Sequence, residues 1–263
     1  MDHLLSLVTA TLSSARGRVS SFAVPARPSR STWPLNGGAY REPVPTTPPD
    51  LVIFDCDGVL VDTERIAVPI DVEVLGELGW DITEEEVVER FLGRSEADCT
   101  REIEEHLGRR LPPGLSLEID DRYRAAFERA LAPVEGVLDV LETLDRNAVA
   151  SCVASSGTQE KMRFTLGLTG LFERFEGRIF SVEEVANGKP APDLFVLASA
   201  SMQVPAERCA VVEDSPFGVA AALAAGMSAY AYAGGLTPRT RLQIPGATVF
   251  RHMSELVELF GLR

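Results

Sequence analysis

The chain has 263 residues, is 45% hydrophobic and 24% charged, and carries a net charge of −14. This is an ordinary soluble composition. No apolar run is long enough to span a bilayer, and the acidity argues against nucleic acid and anionic membrane surfaces as partners. The charge is uneven: residues 1–49 are net +3, which leaves −17 on residues 50–263. A body this acidic gains nothing from long-range steering of an anion, so an anion site would have to be built locally. The four cysteines show no C-x-x-C spacing and fit reduced thiols in a reducing compartment, with no zinc site or disulfide framework. The three histidines lie in scattered polar contexts and suggest no His-based catalyst. Of 25 basic residues only Lys161 and Lys189 are lysine, so a lysine in a special context is chosen for its compact charge.

Residues 1–49 are rich in Ser, Arg and Pro and poor in acids, and beyond a possible helix at Leu4–Leu12 they read as a disordered tail. The composition also fits an organellar transit peptide. The expected location is therefore cytoplasmic, or an organelle stroma or matrix if the tail is a targeting segment. Leu51–Phe54 is an apolar run that reads as a strand buried on both faces. It ends in Asp55-Cys56-Asp57-Gly58, where the glycine permits a sharp exit with positive φ.

Residues 63–132 read as helical: Glu64–Leu78, Thr83–Leu92, Glu96–Leu107 and Leu117–Leu131. Pro69 should kink or break the first of these. Gly79 should close it, and Thr83-x-x-Glu86 is a capping box for the second. This segment is predicted to be an inserted helical domain. Residues 50–62 and 133–263 form the core, in which helices and strands alternate: strands at Ala148–Ala154, Arg178–Phe180, Cys209–Glu213, Ser228–Tyr232 and Thr248–Phe250. That alternation predicts an α/β fold, a doubly wound parallel sheet.

In such a sheet ligands bind beyond the carboxyl ends of the strands. The first strand delivers Asp55 and Asp57. The second delivers Ser155 and Ser156 ahead of Gly157 and a helix start, which can cradle an anion or simply cap the helix. The stiff loop Asn187-Gly188-Lys189-Pro190 presents Lys189, which read alone is a surface lysine. The fourth strand ends in Glu213-Asp214, which read alone caps the next helix. Taken together, carboxylates crowded on one edge would repel unless they shared a hard cation such as Mg²⁺. A lysine and a serine could then hold a phosphoryl group that one carboxylate attacks while another protonates the leaving oxygen.

This ordered set resembles the haloacid dehalogenase superfamily, in its β-phosphoglucomutase-like branch of sugar-phosphate phosphatases. The resemblance covers residues 50 to about 255. It implies sheet order 5-4-1-2-3, a helical cap over the site, Asp55 as nucleophile and Asp57 as general acid. It also implies phosphate binding by Ser155, Ser156 and Lys189, and Mg²⁺ held by Asp55, Asp57 (through its carbonyl) and Asp214 with Glu213 nearby. The resemblance further implies that the cap loop sets Gly93 and Arg94 against the substrate. Asp57 favours phosphoryl transfer over dehalogenation, and the absence of lysine from residues 63–132 excludes a cap Schiff base. The function implied is a Mg²⁺-dependent phosphatase of a small phosphorylated metabolite, a sugar or sugar-acid phosphate, acting as a monomer. The alternative is a phosphosugar mutase, but the mutase's cap histidine falls at Ala67 here and its cationic clamp near Leu92 and Glu96.

Overall fold

The structure, a computed structural model, describes residues 47–92 and 96–263. Most of the tail, together with Gly93 and Arg94, thus lies outside the described residues. Strand β1 (Leu51–Phe54) is followed by α1 (Glu64–Leu78), α2 (Glu84–Arg90), α3 (Glu96–Leu107) and α4 (Leu115–Ala130). Then come α5 (Val137–Arg146), β2 (Ala150–Ser155), α6 (Gln159–Leu168), α7 (Phe172–Phe175), β3 (Ile179–Ser181) and α8 (Asp193–Ser201). The chain continues through β4 (Cys209–Glu213), α9 (Pro216–Ala224), β5 (Ser228–Tyr232), α10 (Arg239–Leu242), β6 (Ala247–Phe250) and α11 (Glu255–Leu259). The short helices α7 and α10 escape a periodicity reading because one turn carries no period.

All strand pairings are parallel, in the order β3-β2-β1-β4-β5-β6. This is the expected order with β6 added beyond β5. The chain steps one way from β1 to β2 and the other way to β4, so β1 is the switch point where such sheets open a crevice. Every residue of β1 is fully buried. Its side chains alternate, with Val52 and Phe54 in one apolar cluster and Leu51 and Ile53 in the other. Burying Phe54 or Ile53 contributes roughly 1.5–3 kcal/mol each. Register carries that rigidity to the strand ends: Phe54 pairs with Val212 and with Val153, and the Asp55 N–H donates to the Val212 carbonyl at 3.0 Å. Asp55 is thereby set level with Glu213 on one side and Ala154 on the other.

The helices between β1 and α5 gather their own apolar cluster, including Val68, Leu75, Trp80, Phe91, Ile103 and Phe127, and Phe164 and Leu236 of the remaining chain pack against it. Gly79 ends α1 in the left-handed region at φ 99°, as expected, and Thr83 and Glu86 form the reciprocal capping box. Pro69 departs from expectation: α1 runs unbroken through it. The proline forfeits one helical bond, to the carbonyl of Arg65, four residues back.

Within this helical insert Asp71 of α1 is buried and accepts a hydrogen bond from the Tyr123 hydroxyl of α4. Burial pushes its carboxyl up to about 7, against the opposing effect of the Tyr123 bond. An unfolded aspartate ionises near pH 3.8, so from about pH 4 to 7 the unfolded chain has released a proton that the folded one retains. Stability should fall across that window, by roughly 4 kcal/mol. Asp71→Asn removes the titration while keeping the acceptor for Tyr123. Its denaturant midpoint should exceed that of the wild type at pH 7.5, with the gap narrowing at pH 5. A gap that does not change with pH would show that Asp71 ionises freely in the folded state.

Candidate functional site

Beyond the carboxyl ends of β1, β2 and β4, the structure brings Asp55, Asp57, Ser155, Lys189, Glu213 and Asp214 onto one edge, and Ser156 follows on the same loop. All six are buried or nearly so. Lys189 is the hub. Its ammonium lies 2.6 Å from Asp55 Oδ1, 2.6 Å from Glu213 Oε1 and 3.1 Å from the Ala154 carbonyl, so three acceptors take its three protons. Those two carboxylates hold the ammonium charged, overcoming burial, and lift its pKa above the usual lysine value. Burial also acts to raise the Glu213 carboxyl, but the Lys189 contact and donation from the Ser215 N–H and hydroxyl bring it below its usual value.

Glu213 keeps this position because Gly218 makes room. In the first turn of α9, a Cβ on Gly218 would stand 1.8 Å from Glu213 Oε1. Gly218→Ala should therefore destabilise by about 1–3 kcal/mol, as overpacking does, although alanine favours a helix by about 1 kcal/mol. Gly167, in α6, has nothing within 4 Å of the same construction, so Gly167→Ala should stabilise. Melting temperatures that move in opposite directions would bear this out; a stabilised Gly218→Ala would show that Glu213 has other room.

The other carboxylates are in a different condition. Asp55 Oδ2 and both oxygens of Asp214 and of Glu64 are buried with no hydrogen-bond partner. Glu64, in the first turn of α1, stands beside Asp214: a Cβ on Gly58 would meet Asp214 Oδ2 at 2.0 Å and Glu64 Cδ at 3.2 Å. Gly58 also has φ 71°, so glycine is required there twice over. Burial raises Asp55 despite the charge of Lys189. Burial, then the charges of Glu64, Glu213 and Asp55, raises Asp214 well above the carboxylate range. Burial likewise pushes Glu64 up to about 8, with the charges of Asp57 and Asp55 acting the same way. Five partnerless buried oxygens are costly, and they are the hard donors a divalent cation takes. Among the described residues no cluster of three or more His, Cys, Asp or Glu side chains stands ready-made around an ion. Mg²⁺ asks for less, since it keeps waters and binds through one or two carboxylates.

Asp57 is held by two groups the sequence did not identify. Thr63 Oγ1 donates to Oδ1 at 2.7 Å, and Lys161 Nζ lies 2.8 Å from Oδ2. Thr63 precedes α1 but makes no side-chain cap bond there, because its hydroxyl is turned to Asp57 instead. The only available signal for Lys161 was lysine rarity. Ser155 Oγ accepts from the Gly157 N–H at 3.2 Å, and Ser181 Oγ donates to the Gly157 carbonyl at 2.7 Å, bracing the loop that opens α6. Thr158 caps α6 by accepting from the Lys161 N–H. Ser156 is half-buried on that loop.

A sequence model described as haloacid dehalogenase-like hydrolase matches residues 52–232, spanning β1 through β5 and every motif above. The chain belongs to the haloacid dehalogenase-like hydrolases. A relative from Escherichia coli (strain K12), named 6-phosphogluconate phosphatase, is 31% identical over 222 residues, covering 81% of this chain and 96% of the relative. A haloacid dehalogenase-like protein of unknown function from Agrobacterium tumefaciens str. C58 superposes with TM-score 0.71 at 32% identity, covering 81% of this chain and 97% of that one. A haloacid dehalogenase family hydrolase from Deinococcus radiodurans R1, solved with bound phosphate and sodium, gives TM-score 0.70 at 29% identity over 82% of this chain and 98% of that one. The α/β architecture of this haloacid dehalogenase-like chain is thus shared along nearly the whole length of its relatives.

Proposed function

We propose that this phosphoric monoester hydrolase cleaves a small phosphorylated metabolite, a sugar or sugar-acid phosphate, through a phosphoryl group carried transiently on Asp55. The observation that carries the reading is the pairing of a charge-saturated lysine with partnerless carboxylates at the end of β1. Such a site is built for a substrate that brings anionic oxygens and for a cation that balances the acids.

Asp55 and Asp214, with the Asp57 carbonyl, would hold Mg²⁺, with Glu213 and Glu64 beside them. When bound, the ion supplies positive charge to the phosphoryl oxygens and screens Asp55 from them. Lys189, whose ammonium sits on Asp55, would offset the charge of the same oxygens, while Ser155 and the N–H groups of the loop before α6 would receive them. The Asp55 carboxylate forms its bond to phosphorus as the ester P–O bond breaks, and Asp57 gives a proton to the departing oxygen. A water then attacks phosphorus, yields its proton to Asp57 and frees Asp55. The helical insert, residues 63–132, serves as a cap that excludes bulk water during these steps. At the position that the resemblance assigns to the mutase's histidine the chain has Ala67, a fully buried methyl in the insert core, which can relay no proton. Hydrolysis is therefore preferred to mutation of the phosphate's position. Four free, buried cysteines suit a reducing compartment, and no helix among the described residues is long and apolar enough to cross a membrane.

The test is phosphate release from a panel of sugar, sugar-acid and polyol phosphates, with 6-phosphogluconate included, in Mg²⁺ and in EDTA. Release with Mg²⁺ and its loss in EDTA are expected. No release from any ester would overturn the reading, and an isomerised phosphosugar would replace it with the mutase.

A further inference from the structure

The chain has only two lysines, and both end on an aspartate of the first motif. Their settings differ. Lys189 is sealed, its side chain 5% exposed, with all three protons committed to Asp55, Glu213 and the Ala154 carbonyl. Lys161 is 12% exposed, and it rises from the first turn of α6 where that helix meets α4 of the insert. Its charge reaches Asp120 on α4. One turn further on, Arg124 lies 3.6 Å from Glu160 and covers the Phe164 ring at 4.4 Å. Lys161 therefore stands at the seam between insert and core. Asp57 has a separate anchor in Thr63, so orienting that carboxylate does not rest on Lys161 alone.

Gly157 shows what lies in front of it. The place a Cβ would take there is 3.6 Å from Lys161 Cδ, 3.6 Å from Ser155 Oγ and 3.8 Å from Asp57 Oδ2. The phosphate loop, the acid and Lys161 share one rim. If Asp57 protonates the ester oxygen, that oxygen must come within about 2.6–3.2 Å of its carboxylate. An ammonium 2.8 Å from the same carboxylate then borders the first carbons of the leaving alcohol.

We propose that Lys161 is a specificity-determining residue that reads the leaving alcohol, donating to an oxygen carried on one of the two carbons beyond the ester carbon. The inference rests on the phosphatase reading and deepens it. Lys189 serves the phosphoryl side and Lys161 the alcohol side, so the enzyme favours esters of polyols and hydroxy acids over plain alkyl phosphates. The oxygen read is a hydroxyl or a carboxylate, and the substrates below separate the two.

The experiment measures kcat/KM with Mg²⁺ for glycerol 3-phosphate, 3-phosphoglycerate and n-propyl phosphate in the full chain, Lys161→Met and Lys161→Arg. Ratios between substrates are compared within one preparation, so the fraction of active enzyme cancels. The wild type should prefer the oxygenated esters, and Lys161→Met should shrink that preference at least about tenfold, or ~1.4 kcal/mol. Lys161→Arg, which keeps a cationic donor, should recover part of it. A larger collapse for 3-phosphoglycerate supports a carboxylate as the group read, and an equal collapse for both supports a hydroxyl. An unchanged ratio overturns the inference, even if all three esters slow together, because that uniform loss is what a group merely positioning Asp57 would produce. Should the Met variant fail to fold, Lys161→Gln gives the same ratio. A wild type that hydrolyses none of these esters or those of the wider panel overturns the phosphatase reading itself, a result distinct from an active enzyme with an unchanged ratio.

Discussion

Asp55→Asn should lower turnover by several orders of magnitude and leave the fold in place. The amide is nearly isosteric and its oxygen can still accept from Lys189, which now reaches it at 2.6 Å. What it lacks is the charge that makes a carboxylate nucleophilic toward phosphorus, and removing a covalent catalyst typically costs factors of thousands or more. The companion expectation concerns stability. Burial and the charge of Glu213 both penalise the ionised Asp55, and Asp214 in turn is raised partly by Asp55. Taking one charge from this crowd should leave the melting temperature of the metal-free protein unchanged or higher. Phosphate release monitored alongside thermal unfolding checks both halves. Near-wild-type release, with contaminating phosphatase excluded, would remove Asp55 from the mechanism; a collapsed melting temperature would mean that its role is structural.

Lys189 should show the opposite combination, with stability and activity falling together. Its ammonium is the shared partner of Asp55 and Glu213, and it lies 4.9 Å from the centre of the Phe195 ring in a nearly closed setting. Lys189→Met fills the same volume and leaves two buried carboxylates without their cation. Breaking a buried pair in this way costs about 3–5 kcal/mol, which in a protein of this size lowers the melting temperature by roughly 10 °C. The deficit should shrink at pH 5, where a proton can stand in for the lost charge. Lys189→Arg keeps the charge but brings a larger planar fork to a place that fits a compact ammonium. At least about tenfold loss of turnover, ~1.4 kcal/mol, is expected for it. Arg kinetics equal to those of lysine would show that the site needs only a positive charge. A Met variant as stable as the wild type at neutral pH would show that the carboxylates are already neutral.

Most of what holds the frame was legible along the chain. Leu51–Phe54 is an unbroken apolar run, and such a run has few ways to be buried except as a central strand. The Thr83 and Glu86 pair, Gly79, and the acid-tipped strands Leu51–Phe54 and Cys209–Glu213 are local patterns, and backbone conformation responds to local patterns first. Hence the bounds of α1 and α3 match the sequence reading, those of α2 and α4 lie within two residues of it, and Asp55, Asp57, Ser155, Lys189, Glu213 and Asp214 gather at one edge; the strand order around β1 agrees with what the family resemblance implied.

Tertiary structure alone decided the contacts that depend on convergence from distant segments. Nothing in the neighbourhood of Lys161 announces that its ammonium lands on Asp57; that requires α6 to start beside β1. Glu64 reads as an ordinary acid in the first turn of a helix, where acids are favoured. Only the course of the chain from β1 into α1 buries it against Asp214 with both oxygens unpartnered. Thr63 is a fitting helix cap by its position, yet its hydroxyl serves Asp57, a buried carboxylate that needs a donor. Pro69 was expected to kink or break α1, and the helix continues through it. Residue order determined which groups the strands would deliver to the sheet's edge. Packing of the helices against that edge determined which of their side chains would meet them there, because desolvation and charge act through space and take no account of separation along the chain.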